Sequence, residues 1–224
     1  MNKIIVTELK KQYERYTVGP CSFCVAEGKT LAVMGPSGCG KSTLLRAIAG
    51  LIKTEGSVKI HDLKRLVMVF DEVYLLDVMN VAENITLGMK KEGYAADEIQ
   101  NRLNVIASSL ELADQLYKMP CELSNGQKQR AALARALIRD FDVLLMDEPF
   151  STLDVLLRKQ LLKLLKQMQE EKGFTCVYVT HDVSDAKIFS DQVLILNNGQ
   201  VQMLDCVQTC EKYPVSDFVK ALFD

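Results

Sequence analysis

Apolar residues follow a strand-like pattern in the first part of the chain. Short runs rich in β-branched and aromatic residues, bounded by charged or turn-forming residues, are typical of β-strands. These runs are IIVTEL, SFCVAE, TLAVMG, GSVKI and RLVMVF. The first two flank Val18-Gly19-Pro20, which we interpret as a turn because glycine and proline interrupt regular structure. We therefore predict mainly β-structure in this part of the chain.

The apolar spacing becomes helical between Met79 and Lys118. Apolar side chains recur there three and four residues apart among charged ones, which is the pattern of amphipathic helices. They are Val81, Ile85, Ile99, Leu103, Ile106, Leu110 and Leu112. We predict a helical subdomain over roughly residues 75–139, set between core segments at roughly 1–74 and 140–224.

Strands and helices alternate after Leu123. We predict a helix at about Gln127–Arg139, a buried strand VLLM, and a leucine-rich helix over Val155–Lys172 that Gly173 ends. A second buried strand, FTCVYVT, precedes a hairpin that turns at Asn198-Gly199. Alternating strands and helices imply crossover connections. The predicted fold class is therefore α/β with a mainly parallel sheet.

Composition limits the classes of protein this can be. The 224 residues are 48% hydrophobic and 25% charged, as in a soluble protein with a sizeable core. The net charge of −2 argues against a nucleic-acid partner. No apolar run approaches the roughly 18 residues that span a bilayer, and the first residues lack a signal-peptide core, so we expect a cytoplasmic protein. Seven cysteines, an odd number, argue against a disulfide framework.

The segment GPSGCGKST, residues 35–43, matches the phosphate-loop pattern G-x-x-x-x-G-K-[ST] between a predicted strand and a predicted helix. Glycines allow backbone N–H groups to surround a phosphate, and the helix start adds partial positive charge. Lys41 is then expected to reach the β- and γ-phosphates, and Ser42 to hold Mg²⁺. The loop amides and Lys41 should also favour the thiolate of Cys39. We predict that the chain binds a nucleoside triphosphate.

The segment VLLMDEP is an apolar strand that ends in two carboxylates. A buried parallel strand delivers such groups at its carboxyl end, where the sheet opens beside a phosphate loop. We expect Asp147 to hold Mg²⁺ and Glu148 to orient and deprotonate an attacking water. An acidic pair after a strand can also be a simple helix cap; the phosphate loop favours the catalytic interpretation.

The segment LSNGQKQRAALARAL looks like a second anion-binding helix start. Ser124 and Gln127 have the spacing of a capping box ahead of an alanine-rich helix. With GPSGCGKST, VLLMDEP, STLD and VTHD, in this order, it makes the chain resemble the ATP-binding cassette (ABC) transporter family over nearly its whole length. The resemblance implies one ABC nucleotide-binding domain over residues 1–224, with a P-loop NTPase core, an N-terminal antiparallel β subdomain and a helical signature subdomain.

The resemblance also implies an ATPase that uses ATP and Mg²⁺. In that family LSGGQ is the signature motif, which contacts the γ-phosphate of ATP held by the phosphate loop of a second copy. The implied ATP contacts are Gly35, Pro36, Ser37, Gly38, Cys39, Gly40, Lys41, Ser42 and Thr43 in the phosphate loop and Ser124, Gly126 and Gln127 in the signature. One catalytic site is then shared by two copies in a head-to-tail homodimer.

Further residues match the family pattern singly. Glu148 matches the catalytic glutamate and His181 the switch histidine that contacts the γ-phosphate. Asp154 ends STLD, the loop that links the two sites across the dimer. Tyr13 lies about where the family stacks an aromatic ring on adenine, with Tyr16 as a weaker candidate; both can equally be surface residues.

One position departs from the family pattern. The family usually has a glutamine after the strand that ends VF, where it touches Mg²⁺ and the attacking water; this chain has Asp71. A carboxylate can still ligate Mg²⁺, but it cannot donate a hydrogen bond to water. We therefore expect slow basal hydrolysis. The alternative is a shifted loop in which Asp71 has no catalytic role.

Three segments, LSNGQKQRAALARALIRD, GFTCVYVTHDVSDA and MNVAENITLGMK, together look most like ATPases of bacterial importers of the nitrate, sulfonate and taurine group, which includes vitamin-precursor systems. The implied partners are a separate membrane permease and, indirectly, an extracellular or periplasmic solute-binding protein, with this chain on the inner face of the cell membrane. The permease is expected to dock near Asp71–Gly88 on exposed apolar residues such as Tyr74, Leu75, Leu76 and Met79; the alternative is that these residues are simply the core of the helical subdomain. The alternatives are an exporter or lipoprotein-release ATPase, and a soluble ATPase outside transport.

Overall fold

The structure is a computed structural model that describes residues 1–223. Its strands are β1 (Asn2–Gln12), β2 (Thr17–Ala26), β3 (Thr30–Met34), β4 (Glu55–Ile60), β5 (Leu66–Val69), β6 (Val143–Asp147), β7 (Thr175–Val179), β8 (Gln192–Asn197) and β9 (Gln200–Asp205). Its α-helices are α1 (Lys41–Ile48), α2 (Val81–Ile85), α3 (Ala96–Ser109), α4 (Asn125–Leu137), α5 (Val155–Lys172), α6 (Val183–Phe189), α7 (Val207–Lys212) and α8 (Asp217–Phe223). Short 3₁₀ turns lie at Ala113–Gln115 and Pro120–Glu122.

The strands form two sheets. β1 pairs antiparallel with both β2 and β4 in a three-stranded sheet. The other sheet has six strands in the order β5-β6-β7-β3-β8-β9, in which β6, β7, β3 and β8 run parallel and β9 runs antiparallel to β8. The predicted α/β class, with a mainly parallel sheet and an antiparallel N-terminal sheet, is confirmed.

The three central parallel strands are β6, β7 and β3, and every residue in them is buried. Their continuous apolar character is what a strand covered on both faces requires. Because neighbouring parallel strands end at the same edge, the segments that follow Met34, Asp147 and Val179 lie side by side. This edge carries the phosphate loop, the two acidic residues and His181.

The predicted turn at Val18-Gly19-Pro20 is wrong, because these residues lie inside β2. The chain turns earlier, where the Tyr13 N–H donates to the Tyr16 carbonyl at 2.9 Å. Gly19 has a φ of 91°, and a Cβ there would lie 2.0 Å from the Leu9 carbonyl oxygen. A close backbone approach at an irregular strand pairing, rather than a turn, therefore explains this glycine.

Two other local predictions are confirmed. Helix α5 spans Val155–Lys172 and ends at Gly173, whose N–H donates to the Gln169 carbonyl at 2.8 Å. The β8–β9 hairpin turns through Asn198 and Gly199, with φ of 47° and 74°. Positive φ at both central residues is what a two-residue type I′ hairpin turn requires. Helix α4 begins at Asn125, earlier than predicted, because Ser124 itself caps it.

The chain divides into two compact units. The core unit comprises residues 1–68, 141–148 and everything described from residue 162 onward. The helical unit comprises residues 69–140 and 149–161. It contains α2, α3 and α4, and the apolar residues with helical spacing, such as Val81, Ile85, Leu103 and Leu110, are buried in it.

Candidate functional site

The phosphate loop lies in the core unit between buried strand β3 and helix α1. Two of its glycines cannot carry a side chain. A Cβ on Gly35, where φ is 145°, would lie 2.0 Å from the Leu196 carbonyl oxygen, and one on Gly40, where φ is 107°, would lie 2.5 Å from a Val18 methyl carbon. Left-handed backbone and close packing together require glycine at both positions.

Lys41 is the first residue of α1 and is only 6% exposed. Its ammonium group donates to the carbonyl oxygens of Gly35 and Pro36, each at 2.9 Å. Both acceptors are uncharged, so the loop encloses a positive charge at the start of a helix. That arrangement is suited to a phosphate group.

Ser42 and Asp147 meet at the edge of the parallel sheet. The Ser42 hydroxyl donates to Asp147 Oδ1 at 3.0 Å. Asp147 is completely buried as the last residue of β6. The fold thus places two oxygen ligands from distant parts of the sequence next to each other beside the phosphate loop.

Glu148 and His181 also lie together in the core unit. Glu148 Oε2 is 3.7 Å from His181 Nδ1. Glu148 has a φ of 44°, a left-handed conformation that is costly for a residue other than glycine and that recurs at functional sites. The loop that carries His181 is held by Thr180, whose hydroxyl donates to Asp185 Oδ2 at 3.2 Å and accepts from the Asp182 N–H at 3.1 Å.

A cleft of about 440 Å³ opens over these residues, a volume within the usual range for a ligand site. The rings of Tyr13 and Tyr16, which both line it, stack with centroids 4.6 Å apart and planes at 18°. The Tyr13 hydroxyl lies 3.2 Å from Thr43 Oγ1. The cleft is lined by Tyr13, Tyr16, Ser37, Gly38, Gly40, Lys41, Ser42, Thr43, Arg46 and Glu148.

Sequence reasoning missed Arg46, which lines this cleft and is exposed. A signal for it was available, because residues four apart share a helix face and Arg46 follows Ser42 at that spacing. Sequence reasoning was wrong about Cys39. The thiol is 5% exposed, and burial raises its pKa more than the nearby Lys41 charge and backbone hydrogen bonds lower it. The thiol form, not the thiolate, is favoured there.

The signature segment lies in the helical unit at the start of α4. The Ser124 hydroxyl accepts from the Gln127 N–H at 3.3 Å, and Gln127 Oε1 accepts from the Ser124 N–H at 2.9 Å. The predicted capping box is confirmed. Gly126 is not left-handed, and a Cβ there would have its nearest contact at 3.6 Å, from the Thr152 carbonyl oxygen. Neither its backbone nor its packing requires glycine.

Asp154 and Asp71 are exposed residues of the helical unit. Asp154 Oδ1 accepts from the Leu157 N–H at 3.0 Å and so caps α5. Asp71 follows β5 and Phe70. Beyond it, Tyr74 is 62% and Leu76 44% exposed, as predicted.

The predicted exposure of Leu75 and Met79 is wrong, because both side chains are half-buried. The loop that holds them lies between Asp71 and α2, and Asn84 of α2 binds it. The side-chain amide nitrogen of Asn84 donates to the carbonyls of Leu76, Met79 and Asn80. Tyr74 and Leu76 therefore remain as the exposed apolar residues from that prediction.

Comparison with known proteins shows the family to which this chain is similar. A family model described as ABC transporter matches residues 18–151. The sn-glycerol-3-phosphate import ATP-binding protein UgpC of Jannaschia sp. (strain CCS1) is 36% identical over 231 residues, which cover 98% of this chain and 66% of the relative. The corresponding protein of Chromobacterium violaceum is 37% identical over 99% of this chain and 63% of its own length. The spermidine/putrescine import ATP-binding protein PotA of Bacillus thuringiensis (strain Al Hakam) is 37% identical over 98% of this chain and 71% of its own length.

The chain belongs to the ABC transporter family, and its fold is that of the family's ATPase domain. It spans 66% and 63% of the two glycerol-3-phosphate relatives. These relatives are named for glycerol-3-phosphate and for spermidine and putrescine, so they do not support the narrower prediction of the nitrate, sulfonate and taurine group. Within residues 1–223, no helix has both the length and the apolar character needed to cross a membrane.

Proposed function

We propose that this chain binds ATP at the phosphate loop and hydrolyses it to ADP and phosphate. The observation that carries this proposal is the buried Lys41 ammonium, held by loop carbonyls at 2.9 Å beside the Ser42–Asp147 pair at 3.0 Å. Lys41 and the loop N–H groups bind the β- and γ-phosphates. Tyr13 lines the same cleft, and we propose that its ring stacks on adenine.

The same residues fit Mg²⁺. This ion prefers oxygen ligands and is commonly held by one or two protein side chains together with substrate phosphates and water. Ser42 Oγ and Asp147 Oδ1 are oxygen ligands that already lie within 3.0 Å of each other. We propose that they hold Mg²⁺ when ATP is bound. Asp71, a residue of the helical unit, is a further candidate ligand only through its match to the family's glutamine position. The ion neutralises charge that develops on the phosphates.

In this proposal Glu148 is the general base. Its carboxylate takes the proton of the water that attacks the γ-phosphorus. The 3.7 Å separation between Glu148 Oε2 and His181 Nδ1 supports a role for His181 in holding that geometry. The left-handed backbone at Glu148 turns the chain sharply after buried β6, so the side chain enters the cleft while Asp147 stays buried.

We propose that two copies assemble head to tail around two ATP molecules. Ser124, Gly126 and Gln127 of one copy then contact the γ-phosphate in the phosphate loop of the other, and Asp154 lies on the loop that links the two sites. The absence of any steric need for glycine at Gly126 supports a role in close approach by another molecule. Ser124 and Asp154 are exposed, as such contacts require.

We further propose that the dimer drives a separate membrane permease for solute import and so lies on the inner face of the membrane. The names of the UgpC and PotA relatives, both import ATP-binding proteins, favour import over an exporter, a lipoprotein-release ATPase or a soluble ATPase. An importer implies a solute-binding protein as an indirect partner. Glycerol-3-phosphate is an anion, whereas spermidine and putrescine are cations, yet the relatives named for them are similarly identical to this chain, at 36% and 37%. In this proposal the ATPase subunit therefore does not select the cargo, and the other subunits do.

Substitution of Glu148 with Gln tests the proposal. The amide keeps the shape but cannot accept the proton, so hydrolysis should fall about 10²- to 10⁴-fold while ATP binding is retained. With ATP and Mg²⁺ the variant should elute as a dimer in size-exclusion chromatography. Glu170→Gln, at an exposed position on α5, is the matched control and should behave as the wild type. Near-normal turnover in Glu148→Gln, or a monomer with ATP, would refute the assignment.

A further inference from the structure

A buried glutamine in α4 binds the loop that follows Glu148. Gln129 is 2% exposed and lies in the helical unit. Its Oε1 accepts hydrogen bonds from the Thr152 N–H at 3.2 Å and from the Thr152 hydroxyl. Its Nε2 donates to Ser151 Oγ at 3.5 Å. Both ends of one buried amide are thus bonded to two successive residues of the loop between Glu148 and Asp154.

The same loop also lies along the first turn of α4. The Thr152 carbonyl oxygen would be 3.6 Å from a Cβ on Gly126. Buried polar side chains are almost always hydrogen-bonded, and leaving one without partners is costly. The hydrogen bonds from Gln129 to specific atoms of Ser151 and Thr152 therefore join helix α4 to the loop that follows Glu148.

We propose that Gln129 is a positioning residue that couples the two ATP sites of the dimer. This inference rests on the proposed head-to-tail assembly. In that assembly the start of α4 contacts the ATP held by the partner copy, whereas Glu148, just before the loop in sequence, acts on the ATP of its own copy. Gln129 is a side chain that joins α4 to the loop, so engagement of one ATP by the signature changes the position of the loop that follows the other site's base.

This role predicts effects that a purely structural glutamine would not have. ATP binding by a single copy depends on Lys41 and its neighbours, which belong to the core unit, whereas Gln129 belongs to the helical unit. Loss of the Gln129 hydrogen bonds should therefore spare the affinity of one copy for ATP. It should instead lower cooperativity between the two sites and the rate of turnover.

Gln129→Met removes the hydrogen bonds at similar length and flexibility. In purified protein the Hill coefficient for ATP hydrolysis should fall from about 2 to about 1, and kcat should fall about tenfold. Gln169→Met is the matched control, because Gln169 is 3% exposed in the core unit and donates to Thr30 Oγ1 at 2.7 Å and to the Phe174 carbonyl at 3.2 Å. It should lower thermal stability and leave the Hill coefficient unchanged.

Thr152→Val supplies a second variant that does not alter a buried position, since Thr152 is exposed. It removes the hydroxyl that donates to Gln129, so it should lower cooperativity in part, and the double variant should be no worse than Gln129→Met alone. An unchanged Hill coefficient in Gln129→Met, or additive losses in the double variant, would overturn the inference. A wild-type protein that hydrolyses ATP without cooperativity would instead count against the proposed dimer.

Discussion

The two helix starts that were predicted to bind phosphate are built in opposite ways. Helix α1 begins after Gly40, a left-handed residue that makes no side-chain capping hydrogen bond. Helix α4 begins after Ser124, which forms a complete capping box with Gln127. A helix start has N–H groups without partners inside the helix. The start of α1 can offer its free N–H groups to a ligand, whereas at the start of α4 the capping side chains already bind some of these N–H groups.

Charge reinforces this difference. Helix α1 opens with the buried Lys41 ammonium, whereas α4 opens with Asn125, Gly126 and Gln127, none of which is charged. A helix start with an enclosed cation attracts phosphate strongly. A capped neutral start does so weakly, although the Ser124 hydroxyl can still donate its own hydrogen. We infer that the phosphate loop holds ATP in one copy and that the signature adds its contacts only when two copies meet.

The largest expected effect comes from Lys41→Ala. Loss of a buried charged donor should weaken ATP binding by a single copy roughly 100-fold or more, which fluorescent-nucleotide titration would measure. Ser124→Ala should leave that affinity unchanged and weaken the ATP-driven dimer, measured in the Glu148→Gln background. Equal losses of single-copy affinity in both variants would contradict the difference between the two helix starts. Lys187→Ala, which removes an exposed lysine on α6, is the neutral control.

Asp71→Gln tests the position where this chain departs from its family. If Asp71 lies beside the attacking water, the amide adds the missing donor, worth about 1–3 kcal/mol, and speeds hydrolysis roughly 5- to 150-fold. Steady-state ATPase assays should compare it with Asp71→Ala, both in the isolated chain and with a permease. If both variants match the wild type in both settings, Asp71 has no catalytic role and our assignment of that loop is wrong.

The smallest expected effects are changes in the free energy of unfolding when Gly40, before α1, or Gly126, in the first turn of α4, is replaced by alanine. Gly40→Ala introduces a methyl group 2.5 Å from Val18 into a left-handed residue, so it should cost about 1–3 kcal/mol of unfolding free energy. Gly126→Ala meets only ordinary contacts at a helix start and should stabilise the fold by about 0.5–1 kcal/mol. Its cost should appear in the ATP-driven dimer. Calorimetry with and without ATP separates the two, and equal destabilisation by both variants would contradict the comparison.

The core of the site was predictable because its signals are local. The phosphate loop, the buried strand before Asp147, the Ser124–Gln127 cap and the Asn198-Gly199 turn each depend on a few consecutive residues. Gln129 gave no such signal. Glutamine is common in helices, so its presence in α4 indicates no special role. The partners that make Gln129 notable, Ser151 and Thr152, come after strand β6, more than 20 residues later in the sequence.

Sequence alone determined the family, the order of strands and helices, and the phosphate-loop motif, because a phosphate loop requires particular residues at fixed spacing. It misjudged Val18-Gly19-Pro20, Cys39 and the exposure of Leu75. Each depends on neighbours distant in sequence: the backbone of β1 against Gly19, the burial that raises the Cys39 pKa, and the packing around the loop that holds Leu75. Desolvation and close packing are properties of the folded chain, so only the tertiary structure decided them.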